Sequence, residues 1–435
     1  MRMLKTLTAS FSGRVYRADT QVEFFTLLEP ELADVPEKSL RVRYVRDDWR
    51  ASDLTVTNIS RKEDSLWEEI SFRKNGRELS FQIKLCGEHE HAVMIIHTLE
   101  NGDEFFEKHA FYTVEKDLAA VLPYKGNVHT HSTLSDGRVS PEEALCTMRS
   151  SGFDFFALTD HNRYHDAFPE FERYGSGFVC YAGEEASSSP LGVNHILSLG
   201  SSASITEWIY APDSDFHTRV AALEKEEPFA SLPPHERALA AQTETIFRKI
   251  RSLGGVSVFC HPYWVCESRY YSTPEENDCL LRHGSFDALE IGNYKVERMC
   301  LLNARIMELA RECGFRKPFI GASDWHARPI QFSDKDYTMI FAPTPEFEDF
   351  SRAIRSEYCV AVGGYQDEFT FGSFRLVQYA NFLRTYFFQP LHDPLCKKQG
   401  ELLLEAHRNN ATDFTEIVKL KTEIDNLYKS FFVLD

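Results

Sequence analysis

The chain has 435 residues, enough for two or three domains. Its hydrophobic content of 43% and charged content of 26% are ordinary for a globular protein. The formal net charge of −18 argues against an extended nucleic-acid track or a broad anionic-membrane surface, and no stretch approaches the roughly 20 apolar residues of a membrane helix.

Ten cysteines are scattered along the chain without a CxxC pair. This pattern predicts buried, reduced thiols and argues against a structural zinc cluster. Residues 1–13 carry Arg2 and Lys5 but no apolar core long enough for a signal peptide. We therefore expect a cytoplasmic protein with no membrane partner; the sequence leaves its oligomeric state open.

Residues 1–122 are predicted to form an all-β, sandwich-like domain. Asn75-Gly76 and Asn101-Gly102 are each flanked by β-rich runs, and Asn-Gly favours the type I′ turn of a hairpin. Further strands are expected at Leu4–Phe11, Val22–Leu28, Leu40–Val45 and Leu54–Ile59. Together these short strands favour an antiparallel sandwich.

Residues 123–365 alternate between strand-like and helical patterns, which predicts an α/β domain with a parallel sheet. Ser140-Pro141 followed by Glu143 is typical of a helix start. The polar stretch Ser201–Pro234 resembles an insertion of unassigned structure. Strands are predicted at Asn127–His131, Phe155–Asp160, Phe178–Ala182, Val193–Leu199, Val256–Cys260, Ala288–Ile291, Phe319–Ala322 and Tyr337–Phe341, and helices at Glu236–Leu253, Lys295–Cys313 and Pro345–Ser356.

Residues 366–435 are predicted to form a helical C-terminal extension. Apolar residues recur at helical spacing in Phe374–Phe388, Pro394–His407 and Asp413–Phe431. The many aromatic side chains of the first helix are interpreted as core packing.

The stretch from Gly126 to Gly137 contains two histidines and an aspartate with the spacing of metal ligands. His129 and His131 are two residues apart, so on a strand they face the same way, and Asp136 follows in the next loop. Imidazoles with a carboxylate suit Zn, Mn or Fe. Two packed strand histidines are the alternative interpretation of this stretch alone.

Other predicted strands also end or begin with His, Asp or Glu. Each of these residues alone is explained by a structural role, such as capping a turn or pairing with a surface charge. Side chains at the carboxyl ends of barrel strands meet at one rim, so together they predict a shared metal centre. The residues are His161, Glu185, His195, His261, Asp324 and His326.

In order, the HxH…SDG, TDHN, GxE, lone His195, HP and SDxH elements resemble the motifs of the PHP (polymerase and histidinol phosphatase) superfamily, over residues 124 to about 360. The β-rich leader running into Pro123-Tyr124 is similar to the CehA/McbA-type branch. The resemblance implies a distorted seven-stranded (β/α)7 barrel and up to three divalent ions. It implies ligands His129, His131, Glu185 and Asp324 for the first, bridging Glu185 with His195 and His261 for the second, and Asp136, His161 and His326 for the third.

Three divalent ions and three carboxylates would give the site a charge of +6 − 3 = +3, which favours a phosphate substrate in an otherwise acidic protein. A metal-bridging water would supply a hydroxide nucleophile. No GxSxG, HExxH or P-loop motif is present.

Several residues beside the ligands are predicted to assist. Asp160 is expected to orient His161, with a capping role as the alternative. Arg138 and Arg328 are candidates for binding phosphate oxygens, with surface salt bridges as the alternative. Tyr263, Asn293 and Lys295 are further candidates for substrate contact.

The sequence thus predicts a metal-dependent phosphoesterase that hydrolyses a small phosphate ester or nucleotide at a di- or trinuclear site of Mn, Zn or Fe. The predicted catalytic residues are Glu185, Asp324, His326, Asp160, Arg138 and Arg328. A carbamate or carboxylic ester hydrolase on the same metal centre is one alternative. A non-catalytic metal-binding scaffold is the other.

Overall fold

The computed structural model of the protein describes residues 2–3, 13–28, 32–46, 67–187, 194–266, 269–270, 272–292, 296–327, 336–363 and 369–434. The chain divides into two compact units, residues 1–121 with 425–435, and residues 122–424. The predicted helical extension 366–435 therefore contributes to both units. None of the described helices is long and apolar enough to cross a lipid bilayer.

Strands dominate the first unit. Predicted strands Leu4–Phe11 and Leu54–Ile59 lie outside the described residues. The strands are β1 Arg2–Met3, β2 Val15–Arg17, β3 Gln21–Leu27, β4 Leu40–Arg46, β5 Glu68–Ile70, β6 Phe72–Asn75, β7 Glu78–Lys84, β8 Glu90–Thr98 and β9 Glu104–Val114, with a 3-10 turn Glu37–Ser39 and a short helix α1 Lys116–Ala119.

Both predicted hairpins are confirmed. Strands β6 and β7 pair around Gly76, and β8 and β9 pair around Gly102. Both glycines have positive φ, +58° and +84°, but Asn75 and Asn101 do not, so the predicted type I′ turn with Asn-Gly at its two central positions is wrong.

Two sheets of this unit enclose one core. The larger sheet runs in the order Phe432–Val433, β2, β9, β8, β4, β5, with β1 also paired to β9, and the smaller sheet runs β3, β7, β6. Phe24 and Phe81 of the smaller sheet pack with Val42, Ile95 and Phe111 of the larger one. The predicted sandwich is not wholly antiparallel, because β1, β2 and the C-terminal strand are joined to their neighbours by long connections and pair in parallel.

The second unit alternates strands and helices, as predicted. Its strands are β10 Leu122–Asn127, β11 Phe155–Ala157, β12 Val179–Tyr181, β13 Gly183–Ser187, β14 His195–Leu199, β15 Val256–Phe259, β16 Val265–Cys266, β17 Arg269–Tyr270, β18 Ala288–Ile291, β19 Phe319–Gly321, β20 Tyr337–Ala342, β21 Cys359–Gly363 and β22 Phe369–Phe371. Its helices are α2 Pro141–Ser150, α3 Ile205–Tyr210, α4 Phe216–Leu223, α5 Pro234–Ser252, α6 Pro274–His283, α7 Val296–Cys313, α8 Phe347–Arg355, α9 Phe374–Leu383 and α10 Asp393–Arg408, and α11 Thr415–Phe431 passes from this unit to the first.

Helix α2 begins as its sequence predicts. The Ser140 hydroxyl accepts a hydrogen bond from the Glu143 amide at 3.2 Å, and Pro141 occupies the first turn, where its missing N–H costs nothing. This helix follows the loop that contains Asp136 and so fixes the far end of that loop.

The strands form two mixed sheets, β12-β11-β10-β20-β21-β22 and β13-β14-β15-β18-β19. The pairs β10–β11, β11–β12, β15–β18 and β18–β19 are parallel, and the remaining pairs are antiparallel. The prediction of a parallel sheet is therefore confirmed for these four pairs and wrong for the others. Residues 188–194 are too few for the crossover that a parallel β13–β14 pair requires.

The C-terminal part of this unit differs from the prediction. Strands β21 and β22 were not predicted. The two helices predicted after them are one continuous run, in which a π-helical segment, Arg384–His392, joins α9 to α10. Pro390 lies inside this segment, where the wider turn accommodates a residue that an α-helix interior excludes.

Candidate metal centre

The predicted ligands lie where strands of the two mixed sheets begin or end. A bridge between Thr130 and Trp325 joins the segment after β10 to the segment after β19. A second bridge, between His161 and Glu185, joins the segment after β11 to β13. The structure thereby brings together all nine predicted ligands, His129, His131, Asp136, His161, Glu185, His195, His261, Asp324 and His326.

The first group consists of His129, His131, Glu185 and Asp324. The Nε2 atom of His129 lies 3.3 Å from Glu185 Oε2 and 3.2 Å from Asp324 Oδ1. The Nε2 atom of His131 lies 3.3 Å and 2.9 Å from the same two oxygens. Two nitrogens and two oxygens therefore face one small volume, as the ligands of a single ion would.

Glu185 divides its two oxygens between this group and a second one. Its Oε1 lies 2.9 Å from His195 Nδ1 and 3.3 Å from His261 Nε2, on the other side of the carboxylate from the first group. A carboxylate with histidines at both oxygens has the arrangement of a bridging ligand. The neighbouring Glu184 points the other way and accepts hydrogen bonds at the start of α3, as strand alternation predicts.

The third group is more exposed than the first. Asp136 Oδ1 lies 3.0 Å from His326 Nε2 and 3.6 Å from His161 Nε2. The Asp136 side chain is 45% exposed and that of His161 is 29% exposed, whereas Glu185 is completely buried. Solvent therefore reaches the cluster from the side of Asp136.

Three buried atoms in the first group lie at ion-pair distance from one another or from Asp324 but form no aligned hydrogen bond with any described residue: His129 Nε2, His131 Nε2 and Glu185 Oε2. Leaving such atoms unsatisfied is costly, because each has lost its hydration. A divalent cation between them would supply the missing partner for all three at once. The side chains present thus fit a metal ion.

The ionisation of the metal-free first group favours charged carboxylates and protonated histidines. Burial opposes the ionisation of Glu185, but the surrounding imidazoles hold its pKa well below the ordinary value. Asp324 has a lowered pKa for the same reason. Burial also opposes protonation of His131, but Asp324 and Glu185 raise its pKa to about 9. Protons therefore occupy ring nitrogens at which a metal would bind.

Asp160 does not orient His161, and that prediction is wrong. Both ring nitrogens of His161 face other carboxylates, those of Glu185 and Asp136. The Asp160 carboxylate instead accepts hydrogen bonds from the Ser132 amide, at 2.7 Å, and from the hydroxyls of Ser132 and Ser135, both at 2.6 Å. Asp160 therefore fixes the loop between His131 and Asp136.

His165 completes the surroundings of Asp160, with its Nε2 2.8 Å from the carboxylate. Burial opposes ionisation of Asp160, but these hydrogen bonds hold its pKa below the ordinary value. The sequence analysis did not single out His165. The sequence feature that pointed to His165 was its position four residues after His161, in a loop rich in polar residues.

Glu290 in β18 is the main residue that sequence reasoning missed. Its Oε2 lies 2.7 Å from His129 Nδ1, and its side chain is completely buried. A lone glutamate between apolar residues of a strand was the available signal, because a glutamate is almost never fully buried without a partner.

The structure gives less information on the residues that were predicted to contact the substrate. Arg138 is exposed just after the Asp136 loop, and no ion pair joins it to any acidic residue that the structure describes. Tyr263 is buried next to the His261 segment. Arg328, Asn293 and Lys295 lie outside the described residues.

Backbone strain is concentrated in the segments that carry the ligands. Asn162, Tyr263 and Asp324 have φ values of 53°, 67° and 49°, which non-glycine residues rarely adopt. Asn162 is held by hydrogen bonds to the amide and hydroxyl of Ser187. Such conformations persist where the surrounding structure imposes them, and they are common at functional sites.

Comparison with known proteins gives only weak likenesses. No family model matches the chain, and no curated protein matches it. One similar solved structure is a two-domain protein from Bacteroides vulgatus that contains a predicted PHP-like metal-dependent phosphoesterase. The two sequences are 20% identical, and the TM-score is 0.36. The match covers 56% of this chain and 65% of that chain. The chain thus spans less than two thirds of that protein.

Two further structures are similar over 47% of this chain and 88% of their own. One, from Bifidobacterium adolescentis, is a candidate metal-dependent phosphoesterase, with 19% identity and a TM-score of 0.32. The other is an amidohydrolase from Chromobacterium violaceum with bound sulfate, with 17% identity and a TM-score of 0.30. Likenesses with TM-scores this low do not assign a function to this chain.

Proposed function

We propose that this protein is a metal-dependent hydrolase that cleaves a small phosphate ester or nucleotide at a di- or trinuclear centre. The observation that carries the proposal is the convergence of nine predicted ligands, among which buried nitrogens and a carboxylate oxygen lack hydrogen-bond partners. Divalent ions held there would activate water and offset the charge of a phosphate.

The protein's own side chains have distinct tasks in this proposal. Glu185 spans the first two groups, with one oxygen toward each. Asp160 holds the loop that carries Asp136. Substrate approaches from the exposed side, past Asp136 and Arg138, and Arg138 is a candidate contact for phosphate oxygens.

The contacts between the two mixed sheets of the second unit support the proposal of a closed barrel. The two bridges that carry ligands join the two mixed sheets. One buried core unites Phe155 and Ile340 of one sheet with Leu197, Val258 and Ile320 of the other. We propose that these sheets together form the distorted PHP-type barrel of the CehA/McbA-like branch.

Hydrolysis of a carbamate or carboxylic ester is the second candidate function. The charge of Glu290 makes this candidate stronger than it was on the sequence alone. Three divalent ions with Asp136, Glu185 and Asp324 give a charge of +6 − 3 = +3. Counting Glu290, which contacts His129, gives +6 − 4 = +2. The attraction for a phosphate is therefore smaller, and a carbamate or carboxylic ester becomes a stronger competitor.

The cellular setting is a further proposal. All eight cysteines that the structure describes in full are free thiols, and several are buried. This supports a reducing compartment such as the cytoplasm.

Turnover on matched substrates tests the proposal. Protein reconstituted with Mn, Zn or Fe is assayed on aryl phosphate monoesters, diesters, aryl carbamates and aryl carboxylic esters. We expect the phosphates to be hydrolysed fastest. Faster turnover of a carbamate or carboxylic ester would assign the second candidate, and no turnover at full metal loading would leave a non-catalytic scaffold.

Adjacent glutamates provide a matched control for that assay. Glu185→Gln removes the charge shared by two metal groups, and we expect it to abolish turnover. Glu184→Gln changes a neighbouring buried glutamate whose carboxylate accepts hydrogen bonds at the start of α3, away from the metal groups, and it should leave turnover intact. Equal loss in both variants would contradict the assignment of Glu185.

A further inference from the structure

Glu290 lies behind the first metal group rather than inside it. Its Oε2 meets Nδ1 of His129 at 2.7 Å, whereas Nε2 of the same ring faces Glu185 and Asp324. The two ring nitrogens point away from each other, so Glu290 cannot share an ion with His129 Nε2. Its contact is with the back of the ligand.

This contact selects one tautomer of His129. A metal at Nε2 requires that nitrogen to be free of a proton, so the ring proton lies on Nδ1 and is donated to Glu290. The bond is charge-assisted and buried, which makes it stronger than one between neutral groups. A carboxylate that holds a ligating histidine in this way fixes the ring orientation and raises its basicity.

We propose that Glu290 is a positioning residue for the metal centre, and that it strengthens binding at the first group by holding His129 with Nε2 toward the ion. This inference depends on the proposed metal centre. It goes beyond that centre because it assigns the affinity of one ion to a residue that is not itself a ligand.

Stability alone does not explain why a glutamate lies there. The Oε1 atom of Glu290 is buried and forms no hydrogen bond with any residue that the structure describes. A half-satisfied buried carboxylate costs free energy, and an apolar side chain of similar size would avoid that cost. Glu290 also pairs with the buried His129 ring in the metal-free protein, so the contact contributes to stability as well as to metal binding.

A rival arrangement places an ion among His129 Nδ1, Glu290 and Cys260, whose ligand atoms are close together. The Cys260 thiol instead faces the Val258 carbonyl, with Sγ at 3.7 Å from the oxygen. In the rival arrangement Glu290 would be a ligand, and its removal would eliminate one metal equivalent rather than weaken it.

The test compares Glu290→Gln and Glu290→Leu with Asp287→Asn. Asp287 precedes the same strand but binds Ser257, Arg251 and Arg355 at the opposite end, so it controls for loss of a buried carboxylate. Each metal-free protein is titrated with Zn²⁺ against a chromophoric chelator. We expect one equivalent to bind about tenfold more weakly in Glu290→Gln and up to about 100-fold more weakly in Glu290→Leu.

A second readout separates positioning from a structural role. In the absence of metal, the Glu290 variants and Asp287→Asn should all unfold at a lower denaturant concentration than the wild type, but only the Glu290 variants should bind zinc more weakly. Wild-type affinity in both Glu290 variants would overturn the proposal, and so would a zinc equivalent that is lost outright at saturation. If the wild type itself binds no metal, the proposed function fails, and the role of Glu290 with it.

Discussion

Binding of the first metal ion should release protons. Burial opposes protonation of His131 and His129, but the acidic residues around them raise the pKa of His131 to about 9 and that of His129 well above its ordinary value. At pH 7, a group with a pKa of 9 is about 99% protonated. A metal at the first group must displace both protons, so we expect about two protons released per ion bound there.

The sign of the pH dependence follows from this competition. Each proton displaced makes the apparent metal affinity rise about tenfold per pH unit below the pKa of its group, so two protons give about 100-fold per unit. Above about pH 9 the contribution of His131 disappears, and the slope falls. Raising the pH from 6 to 8 should therefore strengthen binding steeply.

Calorimetry measures this effect directly. The metal-free protein is titrated with Zn²⁺ at pH 7 in two buffers of different ionisation enthalpy, and the difference in heat gives the number of protons released. Glu185→Ala, which removes a ligand of this group, is the control with diminished release. An affinity that is constant between pH 6 and 8, with no protons released, would refute the reasoning.

Three further predictions concern the stability of the protein, two for substitutions of buried ion or hydrogen-bond partners and one for added metal. Asp160→Asn replaces a carboxylate that accepts hydrogen bonds from the Ser132 amide and hydroxyl. In denaturant titrations it should lower the free energy of unfolding of the metal-free protein by about 2 kcal/mol. An unchanged value would show that other contacts hold the loop. Asp393→Asn removes the partner of the buried Lys125 ammonium, 2.8 Å away, and should cost about 3 kcal/mol in the same assay, a result that equal stability would contradict. Adding Zn²⁺ or Mn²⁺ at about 1,000 times its Kd should stabilise the wild type by about 4 kcal/mol, and a thermal midpoint that metal does not move would count against the centre.

The candidate site was largely predictable from the sequence, because its residues are encoded locally. His129 and His131 are two residues apart, as are Asp324 and His326, so each pair is recognisable without knowledge of the fold. The predicted strand Asn127–His131 is wrong in its bounds, because β10 ends at Asn127 and both histidines lie in the segment that follows it. Their convergence requires only that neighbouring strands end at one place, which the alternation of strands and helices already predicts.

Contacts between distant segments were not predictable in this way. Glu290 reaches His129 across 161 positions of sequence, and nothing adjacent to it marks the contact. Asp160 was assigned to the histidine beside it in sequence, whereas the fold turns its carboxylate toward Ser132. Side-chain partners depend on how strands are paired, and that pairing is a property of the whole sheet.

The sheet itself shows the same limit. A pattern of alternating strands and helices favours parallel pairing, but β13 and β14 are joined by a short connection and pair antiparallel. Strand β22 is short and half-exposed, so its sequence carries little periodicity. Helix α2, in contrast, was located because Ser140 and Pro141 mark its start chemically.

Metal content per chain, measured by elemental analysis on the wild type, Glu185→Ala and Glu184→Ala, tests the central claim most directly. A bridging Glu185 predicts about two or three equivalents of Mn, Zn or Fe in the wild type and in Glu184→Ala, and at least one fewer in Glu185→Ala. Less than one equivalent in the wild type after reloading, or equal metal content in all three proteins, would contradict the metal centre.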